Sequence, residues 1–115
     1  MNSTPRFKSP ALIELTTDRE GLSSVTLTRD VKVVDAFAFA HDVADGAFFR
    51  ISVLDGPAQQ SWNLVGETVF VNDTIVRAER LNSAKVQVKS GQSIAVTVNG
   101  QATATICLWV IPQPK

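Results

Sequence analysis

Carboxylates in polar turns are the first residues of this sequence that could do chemistry. Asp42, Asp45 and Asp55 lie in glycine-containing polar stretches, and with Asp35 or Asp73 they could supply several of the six to eight oxygens that a calcium ion takes. The stretch that begins at Asp42 lacks the alternating carboxylates of an EF-hand loop. Aspartate next to glycine is also what chain turns require. The pattern predicts turns and no cofactor, with calcium binding as the alternative.

Two other reactive side chains each occur once. His41 stands next to Asp42, but no serine lies in a nucleophile elbow, and one histidine offers no metal constellation. Cys107 lies within an apolar run, where a free cysteine usually behaves as a small buried hydrophobe. Acids are plentiful enough for a glycosidase pair, but no spacing selects two of them. The sequence therefore predicts a protein that is not an enzyme.

The two tryptophans favour different functions. Trp62 lies in the polar stretch Ala58–Asn63, where its ring would either stack on a sugar or plug one end of the folded domain. If it binds a sugar, the acidic turns at Asp42 and Asp45 would complete the site. Trp109 belongs instead to the terminal apolar stretch. The first tryptophan therefore indicates a glycan site as the alternative function.

The terminal stretch is apolar on both faces if it is a strand. Trp109 shares the outer row with Cys107 and Ile111, while the intervening residues are apolar as well. Another part of the chain or another subunit must then cover the outer row. We therefore predict that Trp109 and Ile111 lie in the interface of a homo-oligomer.

The elements that would position these residues are β-strands. Strict alternation of β-branched and polar residues over Ala84–Ile111 predicts a three-stranded antiparallel meander. Its two turns would be Ser90-Gly91-Gln92 and Asn99-Gly100. A three-residue second loop, with Gly100 in the left-handed conformation, keeps the apolar residues of the paired strands on one side.

Shorter alternating runs earlier in the chain predict the remaining strands. In Val31–Ala40, Phe37 and Phe39 share a face with Val31 and Val33, and Asp35 on that face indicates a bend or bulge. The alanines also allow a helix over Val34–Val43, but phenylalanines two residues apart fit a strand better. The runs are Ala11–Leu15, Ser24–Thr28, Val31–Ala40, Ala47–Leu54, Glu67–Val71 and Thr74–Leu81.

About eight strands with turns every 8–12 residues and no substantial helix predict an all-β antiparallel sandwich of jelly-roll or Greek-key type. The chain of 115 residues has a formal net charge of zero, which argues against a nucleic-acid partner. From Glu14 to Asp73 there are ten acids and four bases, whereas from Arg77 to Lys115 there are one acid and five bases. This asymmetry indicates two differently charged faces, or head-to-tail pairing of copies.

Residues 1–10 are polar, with two prolines, and predict an extended arm ahead of a single domain over residues 11–115. This arm has no apolar core of a signal peptide, and no run approaches the length that spans a membrane. We therefore expect synthesis in the cytoplasm and no membrane partner.

In overall style the chain resembles the small β-sandwich accessory proteins of bacteriophage virions, the head-decoration and head-fibre class. The tail SGQSIAVTVNGQATATICLWVIP and the arm NSTPRFKSP carry this resemblance. It implies a structural virion component that binds a capsid lattice as a trimer or another symmetric homo-oligomer. Arg6, Phe7 and Lys8 of the arm would be its anchor. The alternative is a small carbohydrate-binding β-sandwich module that uses Trp62.

Overall fold

The described residues of this chain form nine β-strands in two antiparallel sheets. The computed structural model describes residues 11–17, 22–56, 59–78, 81–82 and 85–113. Within these residues there is no helix, and hence no helical segment that could span a membrane. The strands are β1 (Ala11–Thr16), β2 (Leu22–Thr26), β3 (Val31–His41), β4 (Phe48–Asp55), β5 (Gln60–Val69), β6 (Thr74–Arg77), β7 (Gln87–Val88), β8 (Ser93–Asn99) and β9 (Thr103–Pro112).

The strand order is that of a jelly roll. Sheet A has the order β1-β9-β3-β6, with β7 also pairing with β3, and sheet B has the order β2-β8-β4-β5. The pairs β1 with β9, β2 with β8, β3 with β6 and β4 with β5 correspond to one long hairpin rolled into two sheets. The predicted all-β antiparallel sandwich of jelly-roll type is therefore confirmed.

The core lies between the two sheets and follows from the alternation of each strand. On β4 the inward residues Phe49, Ile51 and Val53 are fully buried, as predicted. Ile106 and Leu108 of β9, in the opposite sheet, are also fully buried. Each such side chain contributes about 1.5–3 kcal/mol to folding when it leaves water. Burial of the alternate residues thus holds the two sheets together.

The predicted meander over Ala84–Ile111 is wrong. β7 and β9 both pair with β3 in sheet A, whereas β8 pairs with β2 and β4 in sheet B. The connection at Gly100 therefore crosses from one sheet to the other. Its φ is 92°, and a Cβ there would lie 2.9 Å from the Cβ of Ala47, so glycine is required for this crossing and not for a hairpin. Alternation shows which side chains face the core, and it is the same for strands paired in one sheet and strands opposed across the core.

A bulge in β3 reverses which residues face the core. The register with β9 shifts between Val33 and Asp35, as the position of Asp35 indicated. After this shift the inward residues are Ala36, Ala38 and Ala40, so Phe37 and Phe39 point to the outside of sheet A. The prediction that these phenylalanines share a face with Val31 and Val33 is wrong, because one extra residue exchanges the two faces.

The polar stretch around Trp62 lies within one sheet. Its described residues from Gln60 onward begin β5, an edge strand of sheet B that pairs with β4. The chain passes to sheet A only after β5, at a turn where Asp73 has a φ of 56°. Trp62 therefore lies on a strand, and its position is set by the sheet.

Candidate functional site

The outer side of sheet A carries a continuous group of apolar side chains. We call this group the outer apolar surface. Its members alternate with the core residues of β1, β3, β6 and β9, and they lie next to one another across these strands. The group consists of Leu12, Val34, Phe37, Phe39, Ile75, Cys107 and Trp109.

Strand register brings these residues together. Leu12 of β1 lies opposite Trp109 of β9, and the bulge of β3 lies on the other side of that tryptophan. Phe37 lies opposite Cys107 on the next row, and Phe39 lies opposite Ile75 of β6 on the row after that. Side chains directly opposite in antiparallel strands have Cβ atoms about 5 Å apart. The apolar residues therefore form one contiguous patch rather than scattered points.

Several of these side chains are exposed to a degree that is unusual for their size. Trp109 is 36% exposed, Phe39 42%, Leu12 45% and Ile75 66%. Single exposed apolar residues are common on protein surfaces, whereas contiguous groups of them mark interaction sites. The outer apolar surface is therefore the main candidate functional site of this chain.

One ion pair crosses this surface. Arg77 of β6 contacts Asp35 of β3 through two atom pairs, with Nη2 3.0 Å from Oδ2 and Nε 3.1 Å from Oδ1. Asp35 Oδ1 also accepts a hydrogen bond of 2.9 Å from the backbone N–H of Ala36. The charges at the bulge are thus neutralised within the chain, and the bulge is held in place.

Cys107 lies on the outer row of β9 but is shielded by its neighbours. It is buried and has no disulfide partner. Burial raises the pKa of its thiol above the ordinary value, and the carboxylate of Glu14 on the adjacent strand adds to the increase. The thiol is therefore a protonated, apolar part of the surface at neutral pH and not an activated nucleophile.

The other predicted interface residues have different positions. Ile111 lies on the outer row of β9, opposite Lys32, and is half-buried at one end of the surface. The arm residues Arg6, Phe7 and Lys8 lie outside the described residues. The part of these residues in association stays a prediction.

Trp62 lies at the edge of the sandwich, half-buried on β5. Its indole Nε1 donates a hydrogen bond of 3.3 Å to the backbone oxygen of Lys85, and the Lys85 ammonium lies 5.6 Å from the ring centroid. Asp42 and Asp45 are exposed in the loop that follows the C-terminal end of β3. They do not line the cleft beside Trp62. The structure therefore does not bring the acidic turns to the tryptophan.

The acidic turns form ordinary loop contacts. Asp42 has a φ of 54°, and the backbone N–H of Val43 next to it donates a hydrogen bond to Asn72 Oδ1. In the part of the chain that the structure describes, no group of three or more His, Cys, Asp or Glu side chains could hold a metal ion. His41 is exposed at the end of β3, opposite Thr103.

Sequence reasoning missed five members of the outer apolar surface, namely Leu12, Val34, Phe37, Phe39 and Ile75. The signal for the phenylalanines was present in β3. Asp35 in the same register as Phe37, followed by alanines at every second position, indicates that a bulge turns the alanines inward. No comparable signal exists for Leu12 and Ile75, because their positions depend on which strands flank β9 and β3.

No protein-family model matches this chain, and no curated protein matches it. One similar solved structure is that of the CBM22-1 and GH10 modules of an N-terminal endo-1,4-β-D-xylanase of Clostridium thermocellum with xylohexaose. Its sequence is 12% identical, the match covers 91% of this chain and 25% of that chain, and the TM-score is 0.44. Another is that of the T13 IBDV viral particle, which is 10% identical and covers 97% of this chain and 34% of that chain with a TM-score of 0.40. Both are much longer chains and distant in structure.

Proposed function

We propose that this chain is a non-enzymatic structural module that associates with copies of itself through the outer apolar surface of sheet A. The observation that carries this proposal is the contiguous exposure of Trp109, Leu12, Phe39 and Ile75 on one sheet face. An aromatic residue at the centre of an apolar group is the usual anchor of a protein interface. A second copy is the occupant that the size and charge of the surface favour.

The size of the surface fits a stable interface. β9 has ten residues. β1, β3 and β6 have six, eleven and four residues. Strands rise about 3.3 Å per residue and lie about 4.8 Å apart, so these four strands of sheet A present roughly 500 Å² in projection. Side-chain relief increases the accessible area above this value. A typical specific interface buries about 800 Å² on each partner, so one sheet face is large enough.

The charges on this side of sheet A suit an identical partner. On the outer rows of β1, β3, β6 and β9, Lys32 and Arg77 are balanced by Glu14 and Asp35, and the further positive charges Lys85 and Lys89 lie at the edge beside β7. A strongly charged face would repel its own copy, whereas a balanced one does not. The zero net charge of the whole chain also removes long-range repulsion between copies.

The fold by itself does not select among functions, because jelly rolls occur in capsid proteins and in lectins. The choice among these functions therefore depends on the surface of the molecule, where the outer apolar surface of sheet A favours association. The finer part of the proposal is a virion component, of the capsid-decoration, cement or fibre type, that docks on a larger protein lattice. Its support is the resemblance of the tail and of the arm with Arg6, Phe7 and Lys8.

The proposal is tested by two matched charged variants studied by sedimentation equilibrium. Trp109→Lys places a charge in the outer apolar surface, and Leu54→Lys places one on the outer face of sheet B, where Leu54 is 42% exposed. Loss of an interface anchor costs about 2 kcal/mol or more, so Trp109→Lys should weaken association about 30-fold or more. Leu54→Lys should leave association unchanged.

Equal weakening by both variants would contradict the proposal, because the effect would then come from added charge anywhere on the molecule. Thermal melting of both variants shows that the fold is retained. If Trp109→Lys instead unfolds a chain that is always monomeric, the tryptophan has a role in folding and the interface does not exist.

The number of copies is a separate part of the proposal. A surface that pairs with itself about a two-fold axis closes a dimer. The trimer favoured by the sequence requires the same surface to meet a different surface of the neighbouring copy.

Deletion of residues 1–10 should leave the melting temperature nearly unchanged, and a large loss of stability would mean that the arm belongs to the core.

A further inference from the structure

A positively charged cleft lies at the edge of the sandwich, away from the outer apolar surface. Its volume is about 500 Å³. It lies where the edge strand β5 of sheet B meets the segment that leads into β7 of sheet A. None of the seven residues of the outer apolar surface lines it. The cleft shares Lys32 with the outer side of sheet A, but an inference about it uses none of the apolar residues that carry the proposal about self-association.

The path of the chain after β6 explains how the cleft is formed. Ala78 still bonds to β3, with its N–H 2.8 Å from the oxygen of Ala36. The chain then reaches sheet B, where the Asn82 N–H donates to the oxygen of Leu64 at 2.8 Å. It returns to sheet A at Val86, whose oxygen accepts from the Val33 N–H at 2.9 Å. This excursion carries Lys85 to Trp62 across the open side of the sandwich.

The indole of Trp62 is held in a defined orientation. Its N–H donates to the Lys85 backbone oxygen at 3.3 Å, and the ring packs against the core on its buried side. The ring also lines the cleft, with the Lys85 ammonium 5.6 Å from its centroid. Because the Lys85 ammonium lies over this ring, a ligand that stacks there displaces this exposed, flexible side chain. The fixed ring then provides a flat apolar platform at low entropic cost.

The charged groups of the cleft have one sign. Lys32, Lys85 and Lys89 line it, and no acidic side chain of the described residues does so. In the described parts of the chain, none of the three ammonium groups forms an ion pair, since the salt bridges there belong to Arg50 and Arg77. Three ammonium groups that form no ion pair with any described residue, placed around one cleft, produce a local positive potential that attracts an anion.

The remaining polar groups indicate what the anion is attached to. Gln60 and Gln87 line the cleft and can donate to and accept from hydroxyl groups. The combination of an aromatic platform, amides and ammonium groups is complementary to a pyranose ring that carries a carboxylate or sulfate. We propose that this cleft binds an anionic saccharide, with the sugar ring against Trp62 and its acidic group near Lys85, Lys32 and Lys89.

The test is calorimetric titration of the full chain with three tetrasaccharides at low ionic strength. These are a carboxylated one (tetragalacturonate), a sulfated one (a heparin-derived tetrasaccharide) and a neutral one (cellotetraose). We expect at least one of the acidic probes to bind at least about tenfold more tightly than the neutral one, because the lysines contribute only to the acidic ligands. Comparison of the two acidic probes shows which anionic group the cleft prefers.

Variants locate the binding. Lys85→Gln removes one charge from the cleft, and Arg29→Gln removes one from an exposed position outside the cleft. We expect Lys85→Gln to weaken binding of the acidic probe about tenfold and Arg29→Gln to leave it nearly unchanged. Trp62→Ala should weaken binding as well. Lys85 is exposed, so the test with Lys85→Gln stands even if Trp62→Ala fails to fold.

Three results would overturn the inference. The first is no binding of either acidic probe at millimolar concentration. The second is equal weakening by Lys85→Gln and Arg29→Gln, which would show unspecific charge attraction. The third is a different occupant, seen either as tighter binding of oligothymidylate or as a loss of self-association in Lys85→Gln. That loss would mean that the acidic loops of a second copy fill the cleft.

Discussion

The outer faces of the two sheets differ in the way their side chains interact. On sheet B the exposed side chains are mainly hydroxyls and amides that bond to one another: Thr26 and Ser93 share a hydrogen bond of 2.9 Å, and Ser52 Oγ donates to Asn63 Oδ1 at 3.3 Å. An Arg50–Glu67 contact of 3.8 Å lies on the same face. On sheet A the corresponding rows contain tryptophan, phenylalanine, leucine and isoleucine.

This difference cannot arise from folding alone, because each sheet needs only its inner face to form the core. Sheet B shows that the jelly roll tolerates a hydroxyl-rich outer face. The apolar outer face of sheet A is therefore an additional property, and the proposed association would explain it. Exposed apolar residues also occur on sheet B, such as Leu54 and Val69. Val69 lies opposite the half-buried Phe48, but Leu54 and Val69 lie on rows at opposite ends of the β4–β5 pair.

The largest expected effect is the difference in the free energy of unfolding between a variant in the inner row of β9 and one in its outer row. Leu108 is fully buried, so Leu108→Ala should lower the free energy of unfolding by about 2–5 kcal/mol. Trp109→Ala, one residue later on the exposed row, should cost the dilute monomer less than about 1 kcal/mol. Urea unfolding at low protein concentration measures both values. A loss for Trp109→Ala as large as that for Leu108→Ala would mean that the outer row belongs to a core.

The next effect concerns the two outer faces directly. Phe39→Thr combined with Ile75→Thr would make sheet A resemble sheet B, and should weaken self-association about 30-fold or more through lost apolar contact. Leu54→Thr combined with Val69→Thr is the matched change on sheet B and should leave association unchanged. Sedimentation velocity over a concentration series distinguishes the two. If only the sheet B variant weakens the complex, the interface lies on sheet B and not on sheet A.

A smaller effect is expected from the ion pairs of the two faces. The Arg77–Asp35 pair has two contacts near 3 Å, whereas the Arg50–Glu67 contact is 3.8 Å. Both are solvent-exposed in part, so a double-mutant cycle should give about 0.2–1 kcal/mol for the first pair and less for the second. Both couplings should shrink as salt is added. A larger coupling for Arg50–Glu67 would contradict this ranking.

The smallest effect is the alkaline pH dependence from Cys107. Its pKa in the folded chain is raised above the ordinary value of 9.0, so the folded state keeps a proton that the unfolded chain loses. The stabilisation is complete below pH 9.0 and is lost as the pH rises through the folded pKa. Urea unfolding from pH 8 upward should therefore show a steeper decline for the wild type than for Cys107→Ala. Identical declines would show that the folded thiol titrates at its ordinary pKa.

Periodicity in the sequence predicted the inner face of β4 and β9, but not that of β3 beyond its bulge. The inward positions Phe49, Ile51 and Val53 and the apolar outer row at Trp109 follow from alternation alone. Strand partners do not, because alternation is identical for strands side by side and strands opposed across a core. The error about the connection at Gly100 has this cause.

The outer apolar surface was predictable only in part, for a related reason. Trp109 and Cys107 could be assigned from β9 by itself, whereas Phe39 depends on the bulge in β3 and Ile75 depends on the pairing of β6 with β3. The cleft at Trp62 depends on an excursion of the chain between the sheets, which no local pattern specifies. Surfaces assembled from distant strands become visible only once the register is known.

The most direct test of the central claim is the mass of the wild-type chain in solution, measured by light scattering after size exclusion over a wide range of concentrations. We predict a defined oligomer that dissociates to a folded monomer on dilution. The same series for Trp109→Lys should show the monomer at concentrations where the wild type is fully associated. A wild-type chain that stays monomeric at every concentration would contradict the proposal that a second copy covers the outer apolar surface.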